Sequence, residues 1–338
     1  MPKYVTKRVA YMVVVFFVIS FIMYFIYNLI PGDPAAISLE SVRDELTADE
    51  DEQMYQQARA RLGLDDPIFI RYLRWLGVYP SVNGDFNGVF QGNLGYSTMY
   101  KQNVVDVIAS PLQNTIFLNV FSTILALVIT IPLGIFCAVR KNSKFDHAIQ
   151  VVTIVGYSIP IYIIGLVFIY LFAVKLQIFP VGGVKTSGVT LTGFAALKDK
   201  LYYMCLPLIV TTFANLGSMT RYVRAAMIDA LSMDYIRTAR AKGVAERMVI
   251  LKHGLRNAIL PVVTYLGTLI ANLVTGTFNV GRLFAIPGLG KYFVDSITAR
   301  DYNIIMGVTI FLGVFVVACN LIVDVVYGVI DPRVKLDE

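Results

Sequence analysis

The chain has 338 residues, 57% of them apolar and only 15% charged, with a formal net charge of +6. An ordinary soluble domain carries about 25% charged residues, so this composition excludes one and points to a protein of the bilayer. The basic balance follows from membrane orientation, worked out below, and is no argument for a nucleic-acid partner.

A bilayer-crossing helix needs about 20 mostly apolar residues. Six stretches qualify, at Val9–Ile30, Asn114–Val139, His147–Val174, Leu201–Tyr222, Ile259–Val280 and Tyr302–Ile330. The expectation is an all-α polytopic membrane protein. The first stretch is too long for a signal-peptide core and no small-residue cleavage site follows it, so it reads as a retained span. Pro31-Gly32-Asp33-Pro34 then stops the helix, since two prolines and a glycine cannot continue one.

Residues 31–113 form the longest segment between spans and read as a small extracytoplasmic domain. Asp49-Glu50-Asp51-Glu52 is acidic, and a helix is expected over Glu52–Leu62, ending at Gly63. Ile68, Tyr72, Trp75 and Leu76 fall at helical spacing, which predicts an amphipathic helix lying on the membrane or packed on the bundle. The glycine- and asparagine-rich run from Pro80 to Gly95 predicts turns or a hairpin.

Within the spans, polar residues recur at helical spacing. The second carries Thr115, Asn119, Ser122 and Thr130, the fourth Thr211, Asn215 and Ser218, and the fifth Thr264, Thr268, Asn272 and Thr275. Such stripes line a water-filled path or make interhelical hydrogen bonds, and periodicity alone supports both readings. The path candidates are Thr264, Thr268, Asn272, Thr275, Asn215 and Asn119. Pro160 lies inside the third span, where a kink or broken turn is expected. Pro287-Gly288-Leu289-Gly290 predicts a tight turn before a short helix over Lys291–Ala299. Asp324 in the last span is expected to pair with a basic residue such as Arg221 or Arg224.

The stretch Asp234–Pro261 is too basic to sit in lipid. Asp234 suits a helix start and Gly243 a helix stop, and a second helical run is expected over Glu246–Asn257. The result is a short helix-turn-helix held at the membrane by its flanking spans, built to be gripped. The short basic loop Arg140–Lys144 and the basic 221–256 segment orient the chain with both termini in the cytoplasm.

Chemistry-bearing constellations are missing. His147 and His253 have no partner at ligand or triad spacing, and Cys137, Cys205 and Cys319 have no metal spacing. Gly288-Leu-Gly290-Lys291 lacks the leading glycine and closing Ser/Thr of a P-loop. The expectation is a non-enzyme with no catalytic residues, no metal and no cofactor of its own.

Read in order, Leu29-Ile-Pro-Gly-Asp-Pro-Ala35, Leu62-Gly-Leu-Asp-Asp-Pro67, Gly92-Asn-Leu-Gly-Tyr-Ser97, Ile131-Pro-Leu-Gly134, Asp234-Tyr-Ile-Arg-Thr-Ala-Arg-Ala-Lys-Gly243, His253-Gly-Leu-Arg-Asn-Ala-Ile-Leu-Pro261, Pro287-Gly-Leu-Gly290 and Asp331-Pro-Arg333 form a set. Together they resemble the first-type membrane subunit of bacterial oligopeptide/dipeptide ABC importers over nearly the whole chain. The superfamily's coupling motif runs Glu-Ala-Ala, three residues, Gly, nine residues, Ile-x-Leu-Pro. Ala239, Gly243 and Leu255 fit it, while Arg237, Thr238, His253 and Arg256 depart from it.

The resemblance implies a type I ABC importer permease fold with six spans. Residues 1–30 would be the N-terminus and first span, 114–330 the permease core with a coupling loop at 229–257, and 331–338 a cytoplasmic tail. It implies a heterodimer with a second permease, two ATP-binding subunits that hold ATP and Mg, an extracytoplasmic solute-binding protein, and a place in the bacterial inner membrane. Contacts to an ATPase subunit would come from Asp234, Tyr235, Arg237, Thr238, Ala239, Arg240, Lys242, Gly243 and Glu246. The rival readings are the same machine carrying nickel or an oligosaccharide, and a stand-alone ion-coupled carrier.

Overall fold

Among the described residues every long element is a helix. The computed structural model describes residues 2–29, 33–39, 47–259, 262–263 and 278–330. The long helices are α1 (Pro2–Leu29), α5 (Val104–Val139), α8 (Gly193–Ser232) and α13 (Tyr302–Ile330). Between them lie α2 (Pro34–Leu39), α3 (Ala48–Leu62), α4 (Ile68–Leu76), α6 (Lys144–Ser158), α7 (Ile161–Phe168), α9 (Asp234–Ala241), α10 (Glu246–Met248), α11 (Phe278–Leu283) and α12 (Leu289–Thr298). Among the described residues four helices are long and apolar enough to cross a membrane, or five if the bent pair α6 and α7 is one span. Most of the expected fifth span, with Thr264, Thr268, Asn272 and Thr275, lies outside the described residues. So do the Pro31-Gly32 turn and the 331–338 tail.

The chain divides into two compact units. One comprises residues 1–8, 111–291 and 315–338, the other residues 9–110 and 292–314.

In the first unit, α8 runs 40 residues without a break, on the order of 60 Å at 1.5 Å per residue. It overshoots the apolar window Leu201–Tyr222 at both ends. Nothing in residues 223–232 stops a helix, and Val223, Ala226, Met227 and Ala230 bury a face at the i, i+3, i+4, i+7 spacing. Against α8 lies α6. Gly217 makes the close approach possible, because a Cβ there would stand 2.7 Å from the Thr153 carbonyl oxygen.

The break expected at Pro160 is present and far sharper than a kink. Ile159 is extended (φ −82°, ψ 126°), as the residue before a proline must be. The segments on either side meet at 102°. The second of them finishes in a seven-residue π-helical stretch, Ile169–Lys175. A core of Leu118, Ile164, Met204, Leu206, Val210, Phe284 and Ile286 joins α5, α7, α8 and the turn after α11. At that turn Asn114 donates to the Pro287 carbonyl (3.0 Å) and Thr115 Oγ1 accepts from the Leu289 amide (3.0 Å). The helix expected after it begins two residues early, at Leu289.

In the second unit, α4 lies against α1. Its apolar face, Tyr72 and Leu76 with Trp75 beside them, packs on Phe16, Phe21 and Tyr24. The Tyr72 hydroxyl is satisfied by Ser20 Oγ at 2.7 Å, as a buried phenol requires. The amphipathic helix therefore packs on a span, one of the two placements its pattern allowed. The acidic run begins α3: Thr47 and Glu50 form a capping box, and Asp49, Glu50 and Asp51 occupy the first turn, where the helix dipole favours negative charge. The helix ends at Gly63 in the left-handed conformation (φ 60°), as its sequence indicates. The run from Pro80 to Gly95 forms turns and one short 3₁₀ segment, Val89–Gln91. Its far end is tied down by Asp301, which accepts from Ser97 Oγ (2.5 Å), the Met99 amide (3.0 Å) and the Ile304 amide (3.3 Å).

The entry to this unit is held by Asp33. Burial raises its pKa, but donors from the Tyr55 hydroxyl (2.5 Å), the Ala35 amide (2.8 Å) and Arg59 (2.9 Å) outweigh burial and hold the carboxyl below its ordinary value. A carboxyl depressed on folding contributes stability that is complete above the unfolded value, about pH 4, and is lost as pH falls through the folded value. Wild type is therefore expected to exceed Asp33→Asn in thermal midpoint at pH 7. The gap should close below about pH 4, as read from melting curves over a pH series.

Candidate functional site

The element expected to be gripped is α9 with the turn that follows it. Met233, extended at φ −75° and ψ 153°, separates it from the end of α8 by one residue. Ile236 and Ala239 sit three apart and so share one face, and both are buried, against Leu231, Val244 and Val249. The opposite side presents Asp234, Tyr235, Arg237, Thr238 and Arg240, all exposed. The helix is thus anchored on one side and offered to solvent on the other.

Its stop is equally specific. Gly243 adopts φ 73°, a left-handed conformation that side chains rarely take. Its amide bonds the Arg240 carbonyl (3.0 Å), and the Val244 amide reaches back to Ala239 (3.3 Å). That is a Schellman closure, with Val244 supplying the hydrophobic contact. Arg240 then spans the turn to Glu246 in a two-pronged contact, Nε to Oε2 at 3.1 Å and Nη2 to Oε1 at 2.6 Å. This pairing lowers the Glu246 pKa and raises that of Arg240. At an exposed site its free energy is small, but it fixes the angle at which α10 leaves. The Asp234–Arg237 pair, at 3.5 Å with side chains 95% and 79% exposed, does no comparable work. Burial pushes the Tyr235 phenol up, partly offset by a hydrogen bond from Asn257.

Of the nine residues expected at this site, six lie on α9, Lys242 and Gly243 in the turn after it and Glu246 at the start of α10. Eight are exposed. Ala239 is the exception: it is buried on the anchoring face. The second helical run also differs from a plain α-helix. After α10 the chain passes through a seven-residue π-helical stretch, Val249–Leu255, with Gly254 packed on Leu231 and Met227.

The path candidates divide. Asn119 is buried on α5 and Asn215 half-buried on α8. Thr264, Thr268, Asn272 and Thr275 lie outside the described residues. Next to the α8 stripe, the Thr212 hydroxyl donates to the Ser122 carbonyl of α5 (3.4 Å), and Thr211 within the stripe bonds back to Pro207 (2.8 Å). At those positions the polar groups go into helix packing.

Among the described residues Arg224, one of the bases expected to answer Asp324, has Asp146 as its carboxylate. Arg224 grips Asp146 through Nε to Oδ1 (2.6 Å) and Nη2 to Oδ2 (2.7 Å). The side chain of Asp324 lies outside the described residues. Asp146 is fully buried and takes a third bond from the Asn142 amide (2.9 Å). The pair staples α6 to the part of α8 that leads into α9. Its sequence signal was faint: an acid in the first turn after the Ser143 cap, at the membrane depth of a basic residue 78 positions away. Arg221 instead lies 6.0 Å from the Tyr157 ring centroid. Among the described residues no group of His, Cys, Asp and Glu could hold a metal ion.

Comparison with known proteins places this architecture. Residues 130–336 match the family of binding-protein-dependent transport system inner membrane components, and residues 1–119 match the N-terminal region of such membrane components. The chain is 38% identical over 336 residues to the oligopeptide transport system permease protein AppB of Bacillus subtilis, covering 99% of this chain and all of that one. It is 33% identical over 337 residues to the dipeptide transport system permease protein DppB of the same organism, and 32% identical over 354 residues to DppB of Escherichia coli, each with 99% of both chains covered. A solved structure of the MetNI methionine ABC transporter in an inward-facing conformation shares the fold, with a TM-score of 0.53 at 17% identity over 67% of this chain and 96% of that one. The chain therefore belongs to the binding-protein-dependent transport system inner membrane component family: it is a multi-pass permease subunit of the bacterial inner membrane, not itself an ATPase, that works with ATPase and binding-protein partners.

Proposed function

We propose that this permease carries short peptides into the cell and that α9 is where it receives the stroke of its ATPase. The cargo reading rests on the oligopeptide and dipeptide permeases to which the chain is similar along its full length. In this reading the chain has six spans, with both termini cytoplasmic and residues 31–113 facing outward. It pairs with a second permease to form the path. Two ATP-binding subunits, which hold ATP and Mg, dock beneath, and a binding protein delivers solute from outside.

The observation that carries the reading is the anchoring of α9. A helix of about two turns, with Ile236 and Ala239 buried, a Schellman stop at Gly243 and a brace from Arg240 to Glu246, is stiff. It hangs from the end of the unbroken α8 through one residue. A push on its exposed face is transmitted rather than absorbed.

The test is copurification of the tagged chain in mild detergent, followed by ATP-driven uptake of labelled di- and oligopeptides in vesicles containing the recovered complex and its binding protein. Recovery of two ATP-binding subunits and a second permease, with ATP-dependent peptide uptake, is the expected result. Uptake of nickel or an oligosaccharide in place of peptide would overturn the cargo, and transport by the lone chain without ATP would overturn the machine.

A further inference from the structure

The second unit contains a cavity of about 390 Å³. Its position is defined by two spans. Tyr27 and Asn28 belong to the last turn of α1, while Tyr302 and Asn303 belong to the first turn of α13. The Tyr27 hydroxyl bonds Thr309 Oγ1 at 3.0 Å, holding the two helices together there. The cavity therefore opens where two apolar spans end, at the level of lipid headgroups, with tyrosines in the place an interfacial aromatic belt occupies.

Its charge is unbalanced. Two carboxylates line it, and both are engaged: Asp33 by Arg59, Tyr55 and the Ala35 amide, Asp301 by Ser97 and two backbone amides. Two further guanidiniums line it, those of Arg71 and Arg300, and neither has a carboxylate partner among the described residues. Arg71 donates to the Leu64 carbonyl (3.3 Å) and to Asn28 Oδ1, which leaves its Nε buried without an acceptor. The Tyr302 hydroxyl is also buried and without a partner among the described residues. Buried donors left unmade cost free energy, and a half-buried guanidinium calls for an anion. Met306, Leu62 and Leu64 give the same cavity apolar walls.

We propose that this cavity holds the phosphodiester headgroup of an anionic membrane lipid. A phosphodiester carries one negative charge and several acceptor oxygens and has no proton to donate. It matches Arg71, Arg300 and the Tyr302 hydroxyl, while the apolar walls take the glycerol and the first acyl carbons. A bound lipid would fasten α1 and α13 to the segment between them at the membrane surface.

The test is native mass spectrometry of the full chain in neutral detergent, supplied with equal phosphatidylglycerol and phosphatidylcholine. Wild type should retain the anionic lipid about tenfold over the zwitterionic one, the effect of one charge-assisted hydrogen bond of roughly 1.4 kcal/mol. Excess inorganic phosphate should not displace it. Arg71→Gln and Arg300→Gln should each erase the preference, and Tyr302→Phe should reduce it. Arg300 is exposed and its variant carries the test if Arg71→Gln fails to fold. Equal retention of both lipids, or an unchanged preference in Arg300→Gln and Tyr302→Phe, overturns the proposal. Displacement by inorganic phosphate overturns the lipid as the source of the anion, and displacement by a peptide carboxylate overturns the phosphate chemistry itself.

Discussion

Replacing Asp146 with alanine should destabilise the permease by about 3–5 kcal/mol, the usual cost of breaking one side of a buried ion pair. The magnitude follows from what remains. Arg224 has a side chain only 17% exposed and would keep its charge with both carboxylate contacts gone. The Asn142 amide, held at φ 65°, would lose its acceptor as well. The loss should appear as a lower thermal midpoint in detergent and as faster proteolysis at the Arg140–Lys144 loop. Removing both charges, as in Asp146→Ala with Arg224→Met, should recover much of it, because no unpaired charge is then buried. If the single variant melts with wild type, the staple between α6 and α8 contributes nothing. In the membrane a function beyond stability is also expected. The pair fixes α6 to the segment of α8 that carries α9, so the single variant should hydrolyse ATP with less uptake per turnover than wild type.

Ile236→Asp should have the second large effect, on coupling rather than on the fold of the whole. Ile236 is fully buried in the small cluster that anchors α9. A carboxylate there must either be desolvated, at several kcal/mol, or pull α9 off its seat. A cluster of three buried residues offers less than that to hold it, so α9 should detach. Copurification of ATP-binding subunits should fall at least about tenfold, the equivalent of roughly 1.4 kcal/mol of lost docking energy. The thermal midpoint of the transmembrane part should move little. Arg237→Ala supplies the contrast. Its side chain is 79% exposed and makes only a 3.5 Å contact with Asp234, so the isolated chain should be as stable as wild type while docking weakens. An Ile236→Asp variant that recruits its ATPase normally would remove α9 from the transmission route.

Much of this was legible from the chain alone, where the cause is local. Apolar length marks the spans, because each residue in a bilayer helix must be apolar on its own account. Ile68, Tyr72, Trp75 and Leu76 mark the buried side of α4 by spacing. Gly63 and Gly243 mark helix stops, because left-handed backbone is a property of one residue. The start of α9 at Asp234 and its stop at Gly243 follow from the same kind of reading, and eight of the nine residues expected there are exposed.

What only the tertiary structure decided lies in the pairings between distant residues. The acid that answers Arg224 is Asp146, 78 positions away, and no periodicity distinguishes it from Asp324. Ala239 is turned inward because Val244 and Val249 come back to cover it. A proline at position 160 announces a break, but packing of the helices on either side sets 102° rather than a shallow kink. The continuation of α8 past its apolar window was hidden because hydropathy reports what lipid tolerates, whereas the helix persists until something stops it. In α8 nothing does until Met233, and that uninterrupted rod carries α9 at its end.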